Sequence, residues 1–403
     1  MKKEPERMFF ADKPYVSDFF KKTVRDHAIP VAGLDAAKEM GLYPGTRVVS
    51  EDEAVEMVRG SQNPLLYATS ENSIGWISER LGFTDIPRRI QVFKNKLKFR
   101  ELTRGVFPDF RFRGAALEDL RKIAFEDLDM PLPFVIKPAA GFFSMGVHKV
   151  SNRREWTDAV DAIMEEVDQL RGLYPGEVLN TRSFIMEECV EGEEFAFDVY
   201  YDSDGGPVVL NIMKHFFSSN DDVSDRVYVS SADIIRDHLE AFTGFARKIG
   251  RAAGARRFPA HIELRKDSHG TLRPIEVNPL RFGGWCTTAD MAFMAYGLNP
   301  YLCYYFQEKP DWPTLLKGKE GRVFGLVVLD NSTGIDGEDI ASFDYDKLLS
   351  RFEKPLELRK TDFRKYPVFG FLFTETRGER FDELRRILNS DLKEFVTPRR
   401  GAG

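Results

Sequence analysis

The sequence predicts a mixed fold, α/β followed by α+β: an N-terminal βαβ lobe, an α+β middle region and a small C-terminal α+β lobe. Three observations predict it. In the first third, apolar strand-like runs alternate with amphipathic runs, the order of βαβ units around a mostly parallel sheet. In the middle, apolar runs are joined by short polar links, as in antiparallel hairpins. After about residue 312 the order becomes βαββα. The expected domains are residues 1–92, 93–311 and 312–403. The alternative for the last is that it extends the middle domain.

Each element has its own signal. "RMFFAD" reads as a strand and "KPYVSDFFKKTVRDH" as an amphipathic helix. "IPVAG" and "TRVVS" are strands, and in "EDEAVEMVRG" Ser50 can cap a helix with Glu53 completing a capping box. "PLLYATSEN" is a buried strand leading into a helix at "SIGWISERLG". No glycine-rich turn follows the first strand, so the dinucleotide-binding fingerprint is absent. One basic helix is expected across "RRIQVFKNKLKFRELTRG", ending near Pro108. "PFVIKPAAGFFSMGVHKV" gives two strands around a glycine loop, and "RREWTDAVDAIMEEVDQLR" a crossing helix. "RSFIMEECVEGEEFAFDVYYD" gives two strands around a short link, and "PVVLNIMKHFFSS" another strand. A long helix at "ADIIRDHLEAFTGFARKIGRAAG" precedes the hairpin "FPAHIELRKDSHGTLRPIEVNPL". The C-terminal order is strand "GRVFGLVVLD", helix "FDYDKLLSRF", strands "LELRKT" and "PVFGFLFTET", and helix "RFDELRRILNSDLKEF".

Composition narrows the function. The 403 residues are 42% hydrophobic and 30% charged, as in globular proteins. The 34 phenylalanines argue against disorder. A net charge of −6 offers no electrostatic footprint for nucleic acid. No apolar run approaches the ~20 residues of a membrane helix, and no secretory signal opens the chain. Cys189, Cys286 and Cys303 form neither a metal-type spacing nor an even disulfide set, so a reducing cytoplasm is expected.

Three stretches carry chemistry. In "RPIEVNPLRFGGW", Glu276 and Asn278 share one strand face while Ile275 and Val277 take the other. Glu263, on the preceding strand of the hairpin, can face Glu276. Two opposed carboxylates are destabilising unless a cation joins them, so Glu263, Glu276 and Asn278 are the candidates for a two-carboxylate, one-amide magnesium site; the alternative is a half-buried strand with a solvated polar face. In "VIKPAAGFFSMGVHKV", Lys137 ends a strand before Gly141, Ser144 and Gly146, a loop able to cradle phosphate. The alternative is a glycine hairpin with an incidental lysine. In "FIMEECVEGEEF", Glu187 and Glu188 end one strand and Glu194 begins the next. Such a link can read an adenine by its backbone, with an acid at each end; the alternative is an acidic surface turn.

In this order, the stretches make the chain resemble an ATP-grasp enzyme over roughly residues 1 to 310. The resemblance implies a pre-ATP-grasp lobe at 1–92, a two-lobed ATP-grasp domain, ATP and Mg2+ (with Mn2+ as a substitute), and carboxylate–amine ligation through an acyl phosphate. It implies that Lys96, with Lys98 the competing choice, and Lys137 meet the ATP phosphates. Gly141 to Gly146, including Ser144 and Met145, would form the loop that closes over the triphosphate. Glu187 would lie near the adenine amino group, Glu188 and Val190 would offer backbone groups, and Glu194 would take the ribose, as in D-alanine–D-alanine ligases. Lys214 sits where those ligases place another phosphate-facing lysine. Arg281 is the first choice for the cation that stabilises the oxyanion, although the spacing Glu-x-Asn-Pro-Leu-Arg displaces it by one residue. His261 is the second choice, with a satisfied core histidine as the alternative for that position. The expected partners are a small-molecule carboxylate and an amine, with a homodimer left open and no nucleic acid or membrane. The alternatives are a carboxylase-type or other ATP-grasp ligase, and a nucleotide-binding protein without catalysis. Phe142, Phe143 and Met145 suit a lid that packs shut and excludes water; the alternative is that Phe142 and Phe143 pack permanently into the core.

Overall fold

In the computed structural model of the protein, which describes residues 7–61, 63–140, 147–170, 183–219, 222 and 224–399, the N-terminal alternation folds as a parallel sheet. Its strands are β1 (Arg7–Phe10), β2 (Val31–Ala32), β3 (Val48–Val49) and β4 (Leu65–Ala68), in the order β3-β2-β1-β4. Helix Asp18–Asp26 starts where Ser17 Oγ accepts from the Phe20 amide, and helix Glu51–Val58 where Ser50 Oγ accepts from the Glu53 amide. The basic stretch is two helices, Ile86–Lys94 and Lys96–Thr103. Asn95 breaks it, because its side chain accepts from the Lys98 amide at 2.9 Å and caps a new helix.

A second, antiparallel sheet holds β5 (Phe112–Ala116), β6 (Phe134–Pro138), β7 (His148–Val150) and β8 (Ser183–Glu188), in the order β5-β8-β6-β7. Helix Arg153–Leu170 covers it, with Trp156, Val160 and Ile163 in one core with Phe134, Ile136, Phe184 and Met186. The predicted loop from Gly141 to Gly146 lies outside the described residues.

The remaining strands are β9 (Glu193–Tyr201), β10 (Pro207–Phe216), β11 (Val227–Ser231), β12 (Phe258–Lys266), β13 (Leu272–Pro279), β14 (Arg322–Asp330), β15 (Ile340–Phe343), β16 (Lys354–Lys360), β17 (Val368–Arg377) and β18 (Val396–Pro398). Eight of them form one sheet, β13-β12-β9-β10-β11-β14-β17-β16, while β15 pairs with β18. The C-terminal strands thus continue the middle sheet through β11 and β14. Helix Ala232–Ala253 lies on one face, where Phe242 meets the rings of Phe195 and Phe197. The two strands of "RSFIMEECVEGEEFAFDVYYD" belong to different sheets, so residues 189–192 are the crossing between them. Gly192 makes that crossing fit: its φ is +120°, and a Cβ there would stand 2.2 Å from the Lys266 carbonyl oxygen. Among the described residues, no helix is long and apolar enough to cross a membrane.

Candidate functional site

The hairpin of β12 and β13 pairs Glu263 directly with Glu276, and His261 with Asn278. The register shifts just beyond Glu263, leaving Ile275 as an extra residue on β13. Side chains 261, 263 and 265 therefore share the face opposite helix Ala232–Ala253. Asn278 Nδ2 lies 3.4 Å from Glu263 Oε1, and Lys96 Nζ donates to Glu276 Oε1 at 3.1 Å. Lys98 is exposed and gives its backbone amide to the Asn95 cap.

The two carboxylates differ in their surroundings. Burial acts to raise the pKa of Glu276, but Lys96, Lys137 and Lys94 outweigh it and pull it down. Glu263 has burial and then the charges of Glu276, Asp225 and Glu194 against it, and is pushed up to about 8. Directly opposed acids repel each other, and a cation between them would relieve that repulsion. Magnesium takes hard oxygen donors, commonly one or two carboxylates completed by water and phosphate oxygens. Glu263, Glu276 and Asn278 fit that donor set. Among the described residues, no group of three or more His, Cys, Asp and Glu side chains is arranged to hold a metal by itself. The cluster would rely on the amide and on ligands from outside the protein.

Across from this ledge, Lys137 ends β6 and contacts Glu187 of β8. Arg100, from helix Lys96–Thr103, donates its Nε to Glu187 Oε2 at 2.9 Å and its Nη2 to the carbonyl of the extra residue Ile275 at 3.3 Å. One buried guanidinium thus ties the two sheets together. Burial acts to raise the Glu187 pKa, but Lys137 and Arg100 dominate and hold it at about 2. In the crossing, the Arg111 amide donates to Glu188 Oε2 at 3.3 Å, and the Val190 carbonyl accepts from Arg265 Nη1 at 2.6 Å. Glu194 accepts from Arg265 Nε at 2.9 Å and meets His215 Nδ1 at 2.9 Å.

His261 Nδ1 is 2.8 Å from Asp198 Oδ1, and its Nε2 is 3.7 Å from Glu263 Oε1. Fully buried Asp198 also accepts the Gly283 amide at 3.0 Å. Gly283 is needed there, since a Cβ would stand 2.3 Å from Thr288 Cγ2. Leu280, the residue that displaces Arg281, is accommodated at φ 61° and bonds backbone to backbone with Ala68 and Pro259. Arg281 then reaches Glu71 Oε1 from Nε at 3.1 Å, and Lys94 contacts the other oxygen of Glu71.

Of the residues predicted from sequence, Lys96, Lys137, Glu187, Glu194, His261, Glu263, Glu276, Asn278 and Arg281 come together between the two sheets and the N-terminal lobe. Lys214 does not. It pairs in register with Phe195, on the helix-covered face, and its ammonium contacts Glu193. Its neighbour His215 faces the cluster. Gly141, Ser144, Met145 and Gly146 lie outside the described residues. Sequence reasoning missed Glu71, Lys94, Arg100, Asp198, His215, Asp225 and Arg265. Only Arg265 had a direct signal, two residues after Glu263 on the same strand face.

Known proteins agree with this architecture. The sequence pattern of the ATP-grasp domain family matches residues 130–289, spanning Lys137, the crossing and the ledge of Glu263, Glu276 and Asn278. The chain carries an ATP-grasp domain. The fold of the chain is similar to that of solved structures over nearly its whole length. An L-amino acid ligase from Bacillus licheniformis is 19% identical, with 98% of this chain and 99% of that one covered and a TM-score of 0.67. N5-carboxyaminoimidazole ribonucleotide synthetase from Thermotoga maritima is 15% identical, with 97% and 99% covered and a TM-score of 0.61. Biotin carboxylase from Campylobacter jejuni, solved as a β-γ-ATP complex, is 13% identical, with 98% and 92% covered and a TM-score of 0.60. No curated protein sequence matches the chain.

Proposed function

We propose that this ATP-grasp protein is an ATP-dependent ligase that joins a carboxylate to an amine, with release of ADP and phosphate. The observation that carries the reading is the ledge of Glu263, Glu276 and Asn278, set opposite Lys96 and Lys137 in the cleft between two antiparallel sheets. A magnesium ion held by Glu263, Glu276 and Asn278 would supply Lewis-acid charge at the phosphate oxygens. Lys96 and Lys137 would leave their acid partners for the triphosphate. Glu187 and the backbone at 188–190 would meet the base, and Glu194 the ribose. A substrate carboxylate would attack the γ-phosphate, giving an acyl phosphate and ADP, and an amine would then displace phosphate. Arg281, steered by Glu71, or His261, steered by Asp198, would stabilise the oxyanion. No side-chain nucleophile is needed; positioning and charge do the catalysis.

The test is a phosphate-release screen of carboxylates against amino acids, with mass spectrometry of the products. An ATP-dependent amide product is expected, and ADP release should depend on both substrates. A second reading, a carboxylase-type reaction, is favoured by the similar TM-scores of the carboxyaminoimidazole ribonucleotide synthetase and biotin carboxylase structures. Bicarbonate as the only acid that supports ADP release would select it. ATP binding without turnover on any pair would select a nucleotide-binding protein.

A further inference from the structure

Glu194 sits on a cross-strand rung between two basic side chains. In the register of the large sheet, β9 places Glu194 directly opposite Arg265 of β12 on one side and His215 of β10 on the other. Directly opposed residues share a face, and this is the face of Glu263 and Glu276. Both oxygens of the acid are engaged, Oε2 by Arg265 Nε at 2.9 Å and Oε1 by His215 Nδ1 at 2.9 Å. His215 is itself braced. Its Nε2 lies 3.0 Å from the Ser224 carbonyl oxygen, and its ring stacks on Tyr228 at 4.1 Å between centroids, 12° from parallel. Both ring nitrogens therefore face oxygen atoms, which fixes the plane of the ring. Arg265 makes one more contact, from Nη1 to the Val190 carbonyl at 2.6 Å, inside the crossing between the sheets.

Two consequences follow for a ligand. A free glutamate side chain would have to be ordered on binding, whereas one gripped at each oxygen is ordered in advance. Each carboxylate oxygen has two lone-pair sites, so one on each stays available to a hydroxyl. The same guanidinium also fixes the crossing backbone. The group that meets the sugar and the segment that meets the base are thereby held in one geometry. From this rung we infer that Arg265 and His215 are positioning residues for Glu194, and that through them the site selects a ribonucleotide over its deoxy forms. The inference rests on the nucleotide reading above and deepens it. A deoxy sugar would leave the fixed acceptor without its partner, the arrangement that rejects an analogue most strongly.

The experiment is calorimetric titration of ATP, 2′-deoxy-ATP and 3′-deoxy-ATP, with magnesium, into the wild-type chain and into Glu194→Gln, Arg265→Met, Arg265→Lys and His215→Leu. In the wild type, ATP should bind at least ~10-fold tighter than one of the deoxy forms. Arg265→Met should shrink that ratio toward the value for Glu194→Gln, and Arg265→Lys should recover part of it. A purely structural Arg265 would weaken all three nucleotides by one common factor, leaving the ratio unchanged, and that result overturns the inference. If Arg265→Met binds nothing, the same ratio read on Arg265→Lys and His215→Leu decides. Equal wild-type binding of all three nucleotides would overturn the inference while leaving the nucleotide reading intact. No binding of any of them to the wild type would overturn both.

Discussion

Glu263 and Glu276 face each other across one rung, yet only Glu276 has a lysine in hydrogen-bond contact. Glu263→Gln removes the repulsion and should raise the melting temperature of the metal-free protein, while abolishing turnover. A calorimetric scan and a coupled ADP assay read the two effects separately. Glu187 makes the opposite case. Its carboxyl is depressed from 4.5 to about 2 by Lys137 and Arg100 against the pull of burial. The unfolded chain therefore binds the extra proton first, and stability present above about 4.5 is lost as pH falls toward 2, a contribution of about 3 kcal/mol. Urea melts of the wild type should show that loss, and Glu187→Gln should be less stable at neutral pH with the difference closing in acid. The placing of Glu263, Glu276 and Asn278 on one face was legible because period two and an antiparallel hairpin are local facts. Arg100, Glu71 and Asp198 were not legible, since each meets its partner only after distant elements dock. Lys214 shows how fine the margin is. Lys214 and His215 are adjacent bases, and only the register with β9 sends His215 to the site and Lys214 to the other face.

Among the elements, the alternation of the first lobe, the hairpin of β12 and β13 and the long helix Ala232–Ala253 were legible, each from a sustained period. The break at Asn95 was not, because both flanking helices continue the same basic, amphipathic pattern and a single cap decides the matter. Asn95→Ala should cost about 1 kcal/mol, read from chemical denaturation, and displace Lys96 from Glu276. Strand β5, "FRGAA", escaped for another reason: glycine and alanine are poor strand formers, and pairing with β8 imposes the conformation. The last helix stops at Leu388, short of the predicted length, where the Asn389 side chain takes the Arg385 carbonyl at 2.7 Å. In the crossing, Gly192→Ala combines a φ of +120° with a clash against Lys266. It should destabilise by more than about 1 kcal/mol and weaken ATP binding, since the crossing carries Val190 and leads into Glu194. Unchanged nucleotide affinity in that variant would separate the crossing from the site.

At the scale of the molecule, the C-terminal strands are joined to the site-bearing sheet by more than chain connectivity. β14 pairs with β11 from Val227↔Val327 to Ser231↔Val323, so removing it would bare a strand edge in the middle of the sheet. Phe324, Leu326, Phe371 and Phe373 are buried in the same apolar cluster as the N-terminal residues Phe9 and Phe20. Trp312 packs its ring on Tyr296 and gives its Nε1 proton to the Val209 carbonyl. A buried ion pair adds a polar tie: Arg359 of β16 meets Asp290 of helix Thr287–Tyr296, which follows β13, and its guanidinium lies over the Tyr15 ring. Arg359 also holds Glu357 through its Nε, so Asp290→Ala leaves the buried guanidinium half matched and should cost roughly 1–3 kcal/mol. The sequence could show βαββα after residue 312 but not whether that order closes on itself or continues a neighbouring sheet, because edge pairing is decided by which partner lies alongside. The sharpest check is a chain ended at residue 311. It would retain every residue proposed for nucleotide and metal, yet expose the edge of β11 and the apolar faces that β14 and β17 cover. Such a chain should fail to fold cooperatively and should aggregate, read by circular dichroism melts and size-exclusion chromatography. A soluble monomer with a single sharp transition and intact ATP binding would instead make the C-terminal lobe an appendage, and the boundary at residue 312 a true domain limit.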